Sequence, residues 1–225
     1  MRPLPPMLHL VNPVAERAIV LGDPGRALEL AQSLLERPLM SNHQRGLWGY
    51  TGRAADGEPL TIQSTGTGGP SAVAVLTELA AAGVRRVVRA GSAIAVEPDR
   101  PNLPHVVSAA VAADGASAAL GLGPTAAPEA GLAERLDVAC DGRSVAVLSV
   151  DLLPQDGGPV PSLDGMDALD RQTAPLLGAA ARLGVPAAAV LAFPRGDEDE
   201  AARAAWWRAL GAAAAAALVD ATAAG

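Results

Sequence analysis

The stretch "VLGDPGRALELAQSLL", residues 20–35, ends an apolar run on Gly22-Asp23-Pro24-Gly25-Arg26 and turns at once into a helical pattern. Asp23 and Pro24 have the chemistry of an N-cap and a first helical residue, so a strand hands over directly to a helix here. Arg26 then falls in the first helical turn. Helix N-termini already carry partial positive charge and favour Asp or Glu. In a chain of formal net charge −7, an arginine at that place makes sense if an anion sits on the helix end. Gly22 leaves the backbone N–H groups approachable, and helix end, glycine and arginine together form an anion site.

Working outward, the same handover repeats along the chain. "RAIVLG" reads as a strand, followed by a helix from Pro24 to about Arg37. "LWGYTGRAADGEPLTIQST" reads as two strands around the turn Ala55-Asp56-Gly57. "GTGGPSAVAVLTELAAAG" is a helix with Pro70 in its first turn and Gly83 at its end. "RRVVRAG", "HVVSAAVAA", "SVAVLSVD" and "AAAVLAF" read as further strands. Helices are expected over Pro128 to Ala139, over "ALDRQTAPLLGAAARLG" with a kink at Pro175, and over the closing "DEDEAARAAWWRALGAAAAAALVDATA". Stretches 97–105, 114–128 and 153–163 read as loose. The alternation predicts one α/β domain over residues 1–225, built on a mostly parallel or mixed sheet.

Composition narrows the function. The sequence pI is near 4.9, which argues against nucleic acid or an anionic membrane as the main partner. No lysine occurs, so arginine supplies all the basic charge, and local arginines can still form a positive pocket. Cys140 is the single cysteine and has no internal partner, which fits a reducing cytoplasm. The N-terminal "MRPLPPMLHL" is too short and Pro-rich for a signal segment, and no long uncharged apolar run reads as a spanning helix.

Two motifs bear on chemistry. "GTGGPS", residues 66–71, fails the dinucleotide spacing because Ser71 stands where a glycine is required, and no acidic residue follows at the expected distance. "VVRAGS" places Arg89 inside an apolar strand, which is costly unless the charge is paired. Ligands of open α/β sheets sit at the carboxyl ends of strands. Arg26, Arg89 and Ser92 at such ends would suit a phosphate.

These runs together resemble the nucleoside phosphorylase family that includes hexameric purine nucleoside phosphorylases and uridine phosphorylases. "VLGDPGRALELAQSLLE" resembles that family's Gly-Asp-Pro-x-Arg helix start. "SNHQRGLWGYTG" resembles its Arg-Gly-x-x-Gly-(Phe/Tyr)-Thr-Gly hairpin, and "TGTGGPSAVAVLTELAAAGVRRVVRAGS" its central run. The resemblance implies a three-layer α/β sandwich with a central mixed sheet flanked by helices. It implies that Gly22, Arg26, Arg89 and Ser92 bind inorganic phosphate as co-substrate, with no metal and no other cofactor. It implies that Arg45 reaches a neighbouring subunit's phosphate site, in a homo-oligomer that is a dimer or a hexamer built as a trimer of dimers. His9 either matches the family's histidine that touches ribose across the dimer or is a plain surface histidine.

The family pattern breaks in the second half. The run Val-Glu-Met-Glu, whose second glutamate grips ribose hydroxyls, corresponds to Leu169-Asp170-Arg171-Gln172, so Gln172 would face ribose without charge. Restoring Glu-Met-Glu there is expected to raise the rate. Ile94 stands near the base in place of a glycine, and Leu153 in place of a stacking aromatic. In "AFPRGDEDE", Arg195 or Asp197 would assist the departing base, or both are loop charges. Three functions follow: phosphate-dependent cleavage of purine nucleosides or uridine to free base and ribose 1-phosphate; a non-catalytic paralogue or partner subunit that binds phosphate or nucleoside; or a hydrolytic nucleosidase, against which three phosphate arginines argue.

Overall fold

The computed structural model describes residues 5–219. The parts of the terminal readings that fall on residues 1–4 and 220–225 lie outside the described residues. The strands are β1 (Arg17–Leu21), β2 (Glu36–Asn42), β3 (Gly49–Arg53), β4 (Pro59–Ser64), β5 (Arg86–Ser92), β6 (Ile94–Ala95), β7 (His105–Ala113), β8 (Thr125–Ala126), β9 (Ser144–Val150), β10 (Ala168–Asp170) and β11 (Ala187–Ala192). The helices are α1 (Pro24–Leu34), α2 (Gly69–Ala82), α3 (Gly115–Ala119), α4 (Ala130–Ala139), α5 (Thr173–Leu183) and α6 (Glu200–Ala217).

All the strands join one sheet in the order β2-β3-β4-β1-β5-β11-β7-β9-β10-β6, with β8 paired to β7. Its centre is parallel: β1 pairs with β4 and β5, and β5 with β11. The β11–β7 junction is antiparallel, which makes the sheet mixed. Side chains alternate between faces along each strand. Ala18, Val20, Val87, Ala189 and Leu191 meet α2 and α5, through Val75, Leu76, Leu79, Leu176 and Leu177. Ile19, Leu21, Val88, Ala188 and Val190 meet α1, α4 and α6 on the other face, through Leu30, Leu136, Trp206 and Leu210. The architecture is therefore a three-layer sandwich. β1 and β11 are buried along their whole length, as strands covered on both faces must be. Among the described residues, no helix is long and apolar enough to cross a membrane.

Several boundaries differ from the sequence reading. The helix expected to reach Arg37 ends at Leu34, and Glu36–Asn42 is an edge strand antiparallel to β3. Pro38 is tolerated there because an edge strand has an unpaired side. The helix expected from Ala168 starts only at Thr173, and Ala168–Asp170 is a strand beside β9. Pro175 is the third residue of α5 and causes no kink, because N–H groups of a first turn lack intrahelical partners anyway. The loose stretch 114–128 contains α3 and β8. The closing helix begins at Glu200, capped by the Asp199 side chain, which accepts from the Ala202 N–H.

Parallel strands have one consequence for function. β1, β4, β5 and β11 run the same way, so their carboxyl ends release Gly22, Thr65–Gly68, Ser92 and Pro194–Gly196 towards one edge of the sheet. β9 and β10 lie beyond the antiparallel β11–β7 junction and run the other way, and the loops after them bring Leu153 and Arg171–Gln172 to the same cavity.

Candidate active site

A cavity of about 550 Å³ opens at that edge, and these strand-end loops line it. Gly22, Arg26, Arg89 and Ser92 are all on its wall. The first turn of α1 is built as its residues dictate: the Asp23 carboxylate accepts the Arg26 N–H at 2.8 Å. The Arg26 guanidinium lies on the faces of Trp206 and Trp207, 5.3 and 5.1 Å from their ring centroids. Trp207 also donates its indole N–H to the Arg26 carbonyl at 3.2 Å, so α6 fixes both backbone and side chain of this arginine. Trp207 is part of the cavity lining, and sequence reasoning missed it. It lies far along the chain from Arg26, where no local signal points to it.

Arg89 is buried, as its apolar strand requires, and its charge is paired by a residue of the chain itself. Its Nη2 donates to Asp170 at 2.8 Å and its Nε to the Thr173 hydroxyl at 3.1 Å. The reading of Arg89 as an arginine paired by phosphate is corrected to that extent: one edge of the guanidinium belongs to Asp170. The other edge, Nη1, bonds to no described residue and packs on Gly91, where a Cβ atom would come within 2.3 Å of it. Only glycine fits at position 91.

Asp170 is the hub of this arrangement. Its carboxylate accepts from the Ser149 hydroxyl at 2.6 Å, the Thr173 hydroxyl at 2.6 Å and the Thr173 N–H at 3.2 Å. Burial pushes its pKa up, but the adjacent Arg89 charge and the donated hydrogen bonds outweigh burial and hold it below the usual carboxylate range. The late helix start goes with these bonds: the Asp170 side chain takes the N–H groups of Gln172 and Thr173, which a helix running from Ala168 would bond to its own carbonyls.

Gln172 is buried against the glycine-rich loop. Its Nε2 donates to the Gly66 carbonyl at 2.6 Å and the Gly68 carbonyl at 3.2 Å, and its Oε1 faces Gly22. This alters the expectation for restoring a glutamate. Gln172→Glu would turn a donor into an acceptor facing two carbonyls, and an unsatisfied buried acceptor costs about 1–3 kcal/mol. Gln172→Glu is expected to lower stability by about that amount in urea denaturation, with no gain in any nucleoside-cleaving rate.

Ile94, Leu153, Gln155, Arg171 and Arg195 also line the cavity. Ile94 is 40% exposed and Leu153 is buried. Arg171 reaches across to Asp156 through both Nε, at 3.1 Å, and Nη2. Asp156 also accepts the Leu153 N–H at 3.0 Å, so this ion pair ties down the turn that carries Leu153 and Gln155. Hydrogen bonding from Arg171 lowers the Asp156 pKa. Arg195 stands on the rim, exposed, and Asp197 lies outside the lining.

His9 and Arg45 do not line this cavity. Both are exposed, and one buried side chain holds both segments: Asn42 accepts the His9 N–H at 2.8 Å and donates to the carbonyls of Leu47 and Gln44. Arg45 has φ +58° and Gly46 φ +69°, a left-handed pair that pushes the arginine outward. An arginine in that conformation is uncommon, and such residues concentrate at functional sites.

Known proteins share this architecture. The profile described as "Phosphorylase superfamily" matches residues 16–148. The DeoD-type purine nucleoside phosphorylase of Geobacillus kaustophilus is 39% identical over 87 residues, 38% of this chain and 36% of that protein. Its counterpart from Oceanobacillus iheyensis is 37% identical over 87 residues, 38% of this chain and 37% of that protein. The aligned part thus spans little more than a third of those relatives. The solved structure of purine nucleoside phosphorylase from Toxoplasma gondii in complex with immucillin-H superposes with a TM-score of 0.79 at 21% identity, covering 96% of this chain and 98% of that one. Uridine phosphorylase from Vibrio fischeri superposes with a TM-score of 0.76 at 22% identity, covering 91% of each chain. The structural matches share the three-layer fold, and with the profile spanning more than half of the sequence the chain belongs to the phosphorylase superfamily.

Proposed function

We propose that this protein cleaves the N-glycosidic bond of nucleosides with inorganic phosphate, giving a free base and ribose 1-phosphate. The observation that carries the reading is the pairing of Arg26 with the free edge of Arg89 on one cavity wall, beside the N-terminus of α1. A tetrahedral anion accepts from several directions at once, and two guanidinium groups, the Ser92 hydroxyl and the Gly22 backbone offer such a set. Asp170 holds Arg89 in place through its other edge, so the arginine is oriented before phosphate arrives.

In the reaction, a phosphate oxygen bonds to C1′ as the C1′–N bond breaks, and the electron pair of that bond leaves with the base. Gln172 Oε1 offers one neutral acceptor to the ribose hydroxyls. Arg195, on the rim, faces the departing base and stabilises the negative charge it gathers; Asp197 is less well placed to act as its acid. Without a carboxylic acid at the base, purine departure loses general-acid help worth about 10²–10⁴-fold. Uridine-type substrates should therefore be cleaved no more slowly than inosine or adenosine, and all of them slowly. The exchange of an aromatic for Leu153 and of glycine for Ile94 supports a second reading, a subunit that binds phosphate without turnover. Phosphate binding with no base released would select it.

Arg45 and His9 serve the cavity of a second copy in this reading. The exposed Leu10, Val11, Leu39 and Met40 beside them supply apolar surface for such a contact. Sedimentation should then give a dimer or larger. Charge-assisted hydrogen bonds contribute about 1.5–3 kcal/mol, so Arg45→Ala should weaken phosphate binding roughly 10- to 150-fold in calorimetry without changing the melting temperature. A monomer whose phosphate affinity is untouched by Arg45→Ala would remove the shared-site reading.

A further inference from the structure

Arg195 is exposed, on a loop that follows the last strand, yet its backbone is held by a closed chain of hydrogen bonds. Glu198 Oε1 accepts the Arg195 N–H at 2.7 Å and Glu198 Oε2 accepts the Gly196 N–H at 3.0 Å. Gly196 has φ +86°, so the carboxylate clasps a tight turn that only glycine adopts easily. Glu198 is itself held from another part of the chain: Asn102 Nδ2 donates to its Oε1 at 3.0 Å. The same amide closes the ring, since Asn102 Oδ1 accepts the Phe193 N–H at 2.9 Å. Phe193 is a firm anchor. Its buried ring meets the edge of His105, centroids 5.0 Å apart, and carries the Arg100 guanidinium 5.8 Å from its centroid.

We infer that Asn102 and Glu198 are positioning residues that aim Arg195 at the leaving base, neither touching substrate. This rests on the proposed role of Arg195. The chemistry of the clamp is asymmetric: an amide is needed at position 102 because it must accept from Phe193 and donate to Glu198 with the two ends of one group. Asn102→Asp keeps the first bond and sets two carboxylates against each other. Adding Glu198→Gln restores a donor towards position 102 and keeps one acceptor, which faces the Gly196 N–H.

The test compares Asn102→Ala, Asn102→Asp, the double variant Asn102→Asp with Glu198→Gln, and Arg195→Ala, using uridine and inorganic phosphate as probes. Asn102→Ala should raise the KM for uridine about tenfold, as Arg195→Ala does, the factor expected when a charge-assisted hydrogen bond is lost. It should leave the KM for phosphate unchanged, because neither Asn102 nor Arg195 belongs to the proposed phosphate-binding set. Combined with Arg195→Ala it should add nothing further. Hydrogen exchange of the 195–197 amides should rise about tenfold or more in Asn102→Ala and Asn102→Asp, as local opening becomes easier. At Gly196 it should fall back in the double variant that carries Glu198→Gln as well. The inference is overturned if Asn102→Ala raises both KM values alike, if its effect multiplies with that of Arg195→Ala, or if Arg195→Ala leaves the uridine KM unmoved. Should the native protein cleave no uridine, the functional reading fails. The clamp is then decided by exchange alone, and unchanged protection in Asn102→Ala refutes it.

Discussion

Asp170→Asn is expected to lower folding stability by about 3–5 kcal/mol, the usual cost of leaving one member of a buried ion pair without its partner. Arg89 and Asp170 have side chains only 4% and 2% exposed, so water cannot replace the lost charge. Urea denaturation would show the drop as a shifted midpoint with an unchanged slope. The double variant Arg89→Met, Asp170→Asn should recover most of the stability, because removing both charges leaves none uncompensated. It should not recover phosphate binding, and that difference separates the fold's use of Arg89 from the site's. The pH dependence has a definite sign. The folded pKa of Asp170 lies below its unfolded value of about 3.9, so its contribution is complete above that pH and is lost as pH falls through the folded value. Asp170→Asn should therefore flatten the acid limb of the stability curve below about pH 4.

Trp207→Ala should be comparably damaging, at about 3–5 kcal/mol, since it empties a large buried site between α6 and the sheet. It also removes the ring beneath the Arg26 guanidinium, a contact worth about 0.5–2 kcal/mol. Trp207→Phe keeps an aromatic face and loses the hydrogen bond to the Arg26 carbonyl, about 0.5–1.5 kcal/mol. The alanine variant should thus lose both stability and phosphate affinity, and the phenylalanine variant a small part of each. Urea denaturation paired with phosphate titration calorimetry measures both. An alanine variant that binds phosphate as tightly as the native protein would show that Arg26 needs no platform from α6.

The strand-to-helix handover in "VLGDPGRALELAQSLL" is legible because its signals are local: an N-cap, a first-turn proline and an apolar strand act within a few residues. Half of the cavity is legible for a related reason, since the parallel strands β1, β4, β5 and β11 bring their carboxyl ends to one edge. What escapes the sequence depends on distant partners. β2 continues an apolar helical pattern through Leu34 and Leu35, and only pairing with β3 makes Glu36–Asn42 a strand. β10 reads as helix until Arg89, 81 residues away, holds Asp170 in a strand end. The cost of a charge in "VVRAGS" is visible in the residues; that a carboxylate of the chain, and not phosphate alone, meets it is not. Trp207 beneath Arg26 and the Asn102–Glu198 clamp likewise join residues whose neighbours in sequence hold no hint of them.

The most direct test is phosphate-dependent release of free base from a panel of nucleosides, uridine, inosine and adenosine, by the native protein. Release should be slow, require phosphate, yield one ribose 1-phosphate per base, and be no slower for uridine than for the purines. Base release at the same rate without phosphate, with free ribose as the product, would contradict the proposed function.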